Sequence, residues 1–222
     1  MIDGFIFDMD GVLFDTENIS KRCHRMVSNV FGIADKIDYL FENTVGLNKA
    51  ATKELYMSVL GEDFPYDDYR FKYNEVVNKI ISDEGLPVKT GAYMLLEYLK
   101  ANRYKVALAT STSKTSVYSH LETSKMESYF SAIITGDMIE NGKPAPDIYL
   151  EACRQLNIKP ENGVAIEDSP NGLKSARAAG MKTVMVVDLI PYTEELAPYV
   201  DMKLNSLSDM LELLIKGEMF AD

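Results

Sequence analysis

Seven polar residues stand out because each follows a short apolar run and could take part in the same chemistry. Four are carboxylates that come after two of these runs: Asp8, Asp10, Glu167 and Asp168. Carboxylate oxygens are the hard ligands that Mg²⁺ prefers. Hydroxyl and ammonium groups, which suit phosphate oxygens, come from Thr110, Ser111 and Lys143. Together these residue types predict metal-assisted phosphoryl transfer.

The apolar runs are predicted to be buried β-strands, and they alternate with segments of helical periodicity. The runs cover 2–7, 104–109, 132–135, 163–166 and 183–187, and the clearest helical segments cover 92–102, 147–157 and 173–179. This alternation predicts a doubly wound, Rossmann-like α/β core, in which helices cover both faces of a parallel sheet. Ligands of such sheets bind at the carboxyl ends of the strands. We therefore expect the polar residues to meet in one cleft, with Gly142-Lys143-Pro144 directly after the third strand.

One long insertion interrupts the alternation. No strand is predicted between residues 16 and 85, which hold amphipathic helical stretches at 17–31, 50–60 and 67–82. An inserted all-helical cap domain is therefore predicted at 16–85, with 1–15 and 86–222 as the catalytic core. Glycine and proline interrupt the helical pattern at 11–15 and 85–87, which are the predicted hinges.

Four motifs follow one another along nearly the whole chain. They are Asp8-Met9-Asp10-Gly11-Val12-Leu13-Phe14-Asp15-Thr16, Ala109-Thr110-Ser111, Gly142-Lys143-Pro144-Ala145-Pro146-Asp147 and Ile166-Glu167-Asp168-Ser169. Each is weak alone, but the series resembles the haloacid dehalogenase-like superfamily. The resemblance is to the branch with a helical cap after the first motif, such as β-phosphoglucomutases and related sugar-phosphate phosphatases.

The resemblance implies a role for each matching residue. Asp8 would attack phosphorus, and Asp10 would protonate the leaving oxygen and later deprotonate the hydrolytic water. Mg²⁺ would be held by the Asp8 carboxylate, the Asp10 backbone carbonyl and Asp168, with Glu167 a ligand directly or through water. The phosphate oxygens would be held by Thr110, the Ser111 amide and Lys143. The lysine and the metal would also reduce repulsion between an anionic nucleophile and an anionic substrate.

The substrate implied by this pattern is a small phosphorylated metabolite, with sugar phosphates as the favoured class. In capped enzymes the cap surface facing the core sets specificity. Thr16, Asn48 and Lys49 are the candidate substrate contacts, chosen by their position relative to Gly46. The sequence does not name one substrate.

Three other functions share part of the pattern. A dehalogenase needs neither a metal nor a proton for its leaving group, so Asp10 and the Glu167-Asp168 pair favour phosphate chemistry. A phospho-acceptor signalling domain would be much shorter and would lack an inserted cap. A phosphomutase shares every core motif and stays the alternative. Hydrolysis is favoured over it because Asn18, Ile19 and Ser20 occupy the segment where the closest mutase pattern has a cap histidine.

The composition excludes several classes of partner. A chain of 222 residues, 46% of them hydrophobic, can bury a substantial core, but its net charge of −11 argues against nucleic acid and anionic membranes. No apolar run approaches the ~20 residues of a membrane-spanning helix. Without a signal peptide pattern, and with two cysteines lacking metal-ligand spacing, a cytoplasmic location is expected. We also expect a monomer, because a moving cap is more easily accommodated without a partner.

Overall fold

The structure, a computed structural model, describes residues 2–44 and 49–220, apart from the side chain of Lys49. The chain divides into two compact units. The larger unit consists of Met1–Asp15 and Pro87–Asp222, and the helical unit consists of Thr16–Leu86. This division lies one residue beyond the boundary predicted at 85–86.

A parallel sheet forms the centre of the larger unit. In the described part of the chain its strands are β1 (Gly4–Phe7), β2 (Lys105–Ala109), β3 (Ala132–Ile134), β4 (Gly163–Glu167), β5 (Lys182–Val186) and β6 (Met202–Leu204). Their order is β3-β2-β1-β4-β5-β6, and every neighbouring pair is parallel. The predicted fold class is confirmed. The last strand was not predicted, because three residues with a lysine at their centre form no recognisable apolar run.

Helices connect the strands and make up the helical unit. Those of the helical unit are α1 (Thr16–Val30), α2 (Ile37–Thr44), α3 (Lys49–Leu60) and α4 (Tyr66–Glu84). Those of the larger unit are α5 (Ala92–Ala101), α6 (Lys114–Ser124), α7 (Asp147–Leu156), α8 (Pro170–Ala178) and α9 (Leu207–Lys216). Sequence periodicity did not reveal α2, α6 or α9. No helix in the described residues has the length and apolar character needed to cross a membrane.

Both faces of the sheet are covered. Ile6, Ala107 and Ala165 belong to a buried cluster with side chains of α7 and α8. Side chains alternate between the two faces of a strand, so Phe5 and Phe7 point to the opposite face, and both are fully buried. This burial on both sides explains why the strands are continuous apolar runs in the sequence.

The two segments that join the units are hydrogen-bonded to each other. The backbone N–H of Asp15 donates to the carbonyl of Pro87, and that of Lys89 donates to the carbonyl of Leu13, each at 2.9 Å. Leu13, Asp15 and Pro87 lie in the two predicted hinge segments, 11–15 and 85–87, and Lys89 lies two residues beyond the second segment.

The helical unit has a core rich in aromatic rings around His24 of α1. The imidazole stacks on Tyr73 with 4.2 Å between ring centroids, and its Nδ1 lies 2.6 Å from the hydroxyl of Tyr69. Burial, with a smaller contribution from the charge of Arg70, lowers the pKa of His24 to about 3. The folded protein therefore keeps this ring neutral at pH values where an exposed histidine takes up a proton.

We predict that this buried histidine makes the protein less stable as the pH falls from 7 to 5. The unfolded chain binds a proton near pH 6.5 and the folded chain only near pH 3, so stability is lost through that window. The contribution of His24 to the loss between pH 7 and 5 is about 2 kcal/mol. Urea unfolding at both pH values should show that His24→Phe removes this part of the loss. Equal losses in wild type and variant would contradict the prediction.

Candidate active site

Three adjacent strands end at one edge of the sheet and bring the predicted residues together. Asp8 follows β1, Thr110 follows β2, and Glu167 is the last residue of β4. The strands are in register, because Phe7 pairs with both Leu108 and Ile166. The sheet backbone therefore places these side chains next to one another.

Lys143 reaches the same edge by a longer route than predicted. It does not directly follow β3, because a 3₁₀ turn over Gly136–Met138 and a further loop come between them. Its Nζ nevertheless lies 2.6 Å from Asp8 Oδ1 and 2.6 Å from Glu167 Oε1. A third hydrogen bond of 3.0 Å goes to the carbonyl of Ala109. All three ammonium protons thus have an acceptor.

The charge of this lysine is stabilised by its neighbours. The Lys143 side chain is only 6% exposed. Burial disfavours the ammonium form, but the carboxylates of Asp8 and Glu167 outweigh this and raise the pKa of Lys143 well above its usual range. A permanently positive group is therefore buried beside the predicted nucleophile.

The surroundings of Asp8, in contrast, disfavour the charged form of its side chain. Burial raises the pKa of its carboxyl to about 8; Lys143 opposes this rise, while Glu167 and Asp10 add to it. The crowding of negative charge by Glu167 and Asp10 thus adds to the larger effect of burial, even with a lysine present. A bound cation would relieve this crowding.

The donor set fits a divalent cation such as Mg²⁺. Carboxylate oxygens of Asp8, Glu167 and Asp168 lie within 4.8 Å of one another. Gly11 makes room for this cluster, because a Cβ at this position would overlap the Asp168 carboxylate. Its φ of +79° also suits glycine. Several hard oxygen donors close together are what Mg²⁺ binding requires.

Asp10 is oriented by a residue that the sequence did not single out. Its Oδ2 accepts a hydrogen bond of 2.7 Å from Thr112 Oγ1. Thr110 is buried and its Oγ1 accepts from the backbone N–H of Thr112 at 3.1 Å, whereas Ser111 is exposed. The run of hydroxyl residues from 110 to 113 was the available signal, but spacing alone does not show which hydroxyl turns toward Asp10.

Both carboxylate oxygens of Glu167 accept hydrogen bonds from the protein. Its Oε1 accepts from Lys143 and from the Tyr149 hydroxyl, and Tyr149 was not predicted as part of the site. Its Oε2 accepts from the backbone N–H groups of Asp168 and Ser169 and from Ser169 Oγ. Ser169 also caps α8, since its Oγ accepts from the N–H of Gly172. Both oxygens of Glu167 are thus committed to protein donors.

The predicted substrate contacts Thr16, Asn48 and Lys49 belong to the helical unit and not to the strand ends. Thr16 is the first residue of α1. Asn48 and the side chain of Lys49 lie outside the described residues. The roles of all three stay predictions. Ser20, which stands where a mutase histidine was sought, accepts a hydrogen bond of 2.8 Å from the Tyr73 hydroxyl.

Comparisons with known proteins show which family the chain resembles. The family model described as haloacid dehalogenase-like hydrolase matches residues 5–186. A phosphorylated carbohydrates phosphatase of Thermotoga maritima is 33% identical over 82% of this chain and 84% of its own length. A fructose-1-phosphate phosphatase of Escherichia coli is 28% identical over 82% of this chain and 95% of its own. The structure of CbbY from Rhodobacter sphaeroides with xylulose-(1,5)bisphosphate has a TM-score of 0.80 and 27% identity, covering 94% and 96% of the two chains.

We predict that Gly172→Ala destabilises the protein although Gly172 lies inside a helix. Alanine favours a helix interior by about 1 kcal/mol. Here its Cβ would overlap the Glu167 carboxylate, and overpacking of this kind costs about 1–3 kcal/mol. Gly142→Ala is the matched control, because the space around a Cβ there is open. Chemical unfolding of both variants gives the comparison, and a Gly172→Ala protein more stable than wild type would contradict the prediction.

Proposed function

The chain is a phosphatase of the haloacid dehalogenase-like hydrolase family, and we propose that it removes phosphate from small phosphorylated metabolites, with sugar phosphates as the substrate class. The observation that carries the proposal is the 2.6 Å contact between Lys143 Nζ and Asp8 Oδ1 within a cluster of carboxylates. The names of the two phosphatase relatives support the substrate class.

In the proposed reaction Asp8 is the nucleophile. Its carboxylate forms a bond to phosphorus, and the bond from phosphorus to the ester oxygen breaks. Asp10, held by Thr112, donates a proton to the departing oxygen. Asp10 then accepts a proton from a water molecule that attacks phospho-Asp8, which releases inorganic phosphate and restores both aspartates.

Charge stabilisation is the proposed role of the surrounding groups. Thr110 and the Ser111 amide would hold phosphate oxygens, whereas Lys143, whose three protons already have acceptors, would stabilise the phosphoryl charge from beside Asp8. Mg²⁺ would be held by Asp8, Asp168 and the Asp10 backbone carbonyl, with Glu167 acting through water because its own oxygens already accept hydrogen bonds. When bound, the cation supplies positive charge against the carboxylates and the phosphoryl oxygens.

The helical unit is the proposed source of substrate choice. Thr16, Asn48 and Lys49 are its candidate contacts. Phosphomutase activity is the alternative function and is disfavoured, because Asn18, Ile19 and Ser20 occupy the segment where a mutase histidine is expected. The hydroxyl of Ser20 is bonded to Tyr73. Phosphate release from a panel of sugar phosphates would separate the two activities, since a mutase returns the phosphoryl group to a sugar.

We predict that Asp8→Asn abolishes turnover without disturbing the fold. The amide has nearly the shape of the carboxylate but does not attack phosphorus at a useful rate. Asp3→Asn is the matched control, because Asp3 precedes the opposite end of the same strand and bonds to Asn162. Phosphate release is the measurement. A residual rate of a tenth or more in Asp8→Asn would overturn the assignment of the nucleophile.

Removal of the metal should also abolish activity. Chelation leaves the carboxylates of Asp8, Glu167 and Asp168 crowded, and added Mg²⁺ should restore the full rate. Asp168→Ala should need a much higher Mg²⁺ concentration for half-maximal activity than wild type. Titration of chelated enzyme with Mg²⁺ gives both results. Full activity in excess chelator would show that the cluster serves another purpose.

The third prediction on activity separates Asp10 from Asp8. Asp10→Asn should slow phosphorylation by sugar phosphates by about 10² to 10⁴, which is the usual range for general acid catalysis. An aryl phosphate should suffer less in this step, because phenolate departs without a proton. Stopped-flow measurement of the phenolate burst, followed by slow turnover, resolves the two steps. If the aryl burst slows as much as sugar phosphate cleavage, Asp10 does not protonate the leaving group.

A further inference from the structure

The phenol of Tyr149 is buried beside the candidate active site. Tyr149 lies on α7, is fully buried, and belongs to the apolar cluster that includes Ile6, Ala107 and Ala165. A hydroxyl in such surroundings is costly unless it forms a hydrogen bond. It donates one of 2.9 Å to Glu167 Oε1, the same oxygen that accepts from Lys143.

This shared oxygen is one of the three acceptors of the Lys143 ammonium group, and together they determine its orientation. The Ala109 carbonyl is part of β2, so the sheet fixes its position. Glu167 Oε1 belongs to a side chain, and its position depends on what holds the carboxylate group. With two acceptors of a tetrahedral ammonium fixed, the direction of the remaining N–H bond is fixed as well, and that bond points to Asp8.

We propose that Tyr149 is a positioning residue that holds Glu167 Oε1 where it directs the Lys143 ammonium to Asp8. The backbone N–H groups at Asp168 and Ser169 secure the other oxygen of Glu167. The phenol adds the restraint on Oε1. This inference rests on the proposed function, in which Asp8 is the nucleophile.

A neutral donor suits this task better than a charged one. A second cation at Glu167 would compete with Lys143 for the carboxylate, whereas a phenol satisfies a lone pair and leaves the net charge of the site unchanged. The ring also contributes, because Lys143 Nζ lies 5.2 Å from its centroid, within the range of cation–π attraction. Tyr149→Phe keeps the ring and removes only the hydroxyl.

The test compares Tyr149→Phe with Tyr98→Phe at saturating aryl phosphate and Mg²⁺. Tyr98 is the matched control, because its hydroxyl donates to the backbone carbonyl of Leu214, away from the carboxylate cluster. Tyr149→Phe should slow the phenolate burst about tenfold, the size expected for loss of a hydrogen bond to a charged group. Tyr98→Phe should leave the burst rate within about twofold of wild type. Thermal unfolding followed by circular dichroism establishes that each variant is folded.

A double-mutant cycle with Glu167→Gln distinguishes positioning from a general loss of stability. If the phenol acts through the Glu167 carboxylate, the two substitutions are not additive, and Tyr149→Phe has little further effect in the Glu167→Gln background. Glu167→Gln alone should slow the burst at least as much as Tyr149→Phe. Additive effects, a weaker effect of Glu167→Gln, or an unchanged burst in Tyr149→Phe would each overturn the inference. A wild-type enzyme that releases neither phenolate nor phosphate from the aryl phosphate would instead overturn the proposed function.

Discussion

The candidate site depends on one buried ammonium group. Lys143 is bonded at 2.6 Å to each of two carboxylates that do not bond to each other, Asp8 and Glu167. Removing a charge from water is costly unless its partners are close and well oriented. Three strand ends and a loop must therefore meet to within a hydrogen-bond length. The resulting excess of negative charge explains why the same cluster suits a divalent cation.

Close packing holds these charges in place. Two glycines allow it, since a side chain at Gly11 would overlap Asp168 and a side chain at Gly172 would overlap Glu167. Ser169 contacts both Gly172 and Glu167. Its Oγ caps α8 by accepting from the N–H of Gly172 and donates to the carboxylate of Glu167. The start of one helix is thus part of the carboxylate cluster. The same atoms therefore stabilise the start of α8 and hold the Glu167 carboxylate in place.

Much of the fold could be predicted because burial on both faces of a parallel sheet makes a strand a continuous apolar run. β1 to β5 carry that signal, and the family is confirmed. The strand and helices that were not predicted have weak local sequence patterns. β6 is three residues long and is stabilised by its pairing with β5. The helix α6 has a mixed surface, although it buries His120 and Val117. Such elements are stabilised by their neighbours and not by their own sequence.

The sequence by itself determined which chemistry is available, because residue types and their order after the strands set the supply of carboxylates, hydroxyls and one lysine. It also indicated that these residues meet, since parallel strands end at a common edge. Only the tertiary structure decided how they are paired. Thr112 orients Asp10, and Tyr149 bonds to Glu167 across 18 positions of sequence. Lys143 joins Asp8 across 135. A hydrogen bond requires that the distance between two side chains from different elements be correct to within a few tenths of an ångström. No local pattern along the chain encodes distances that closely.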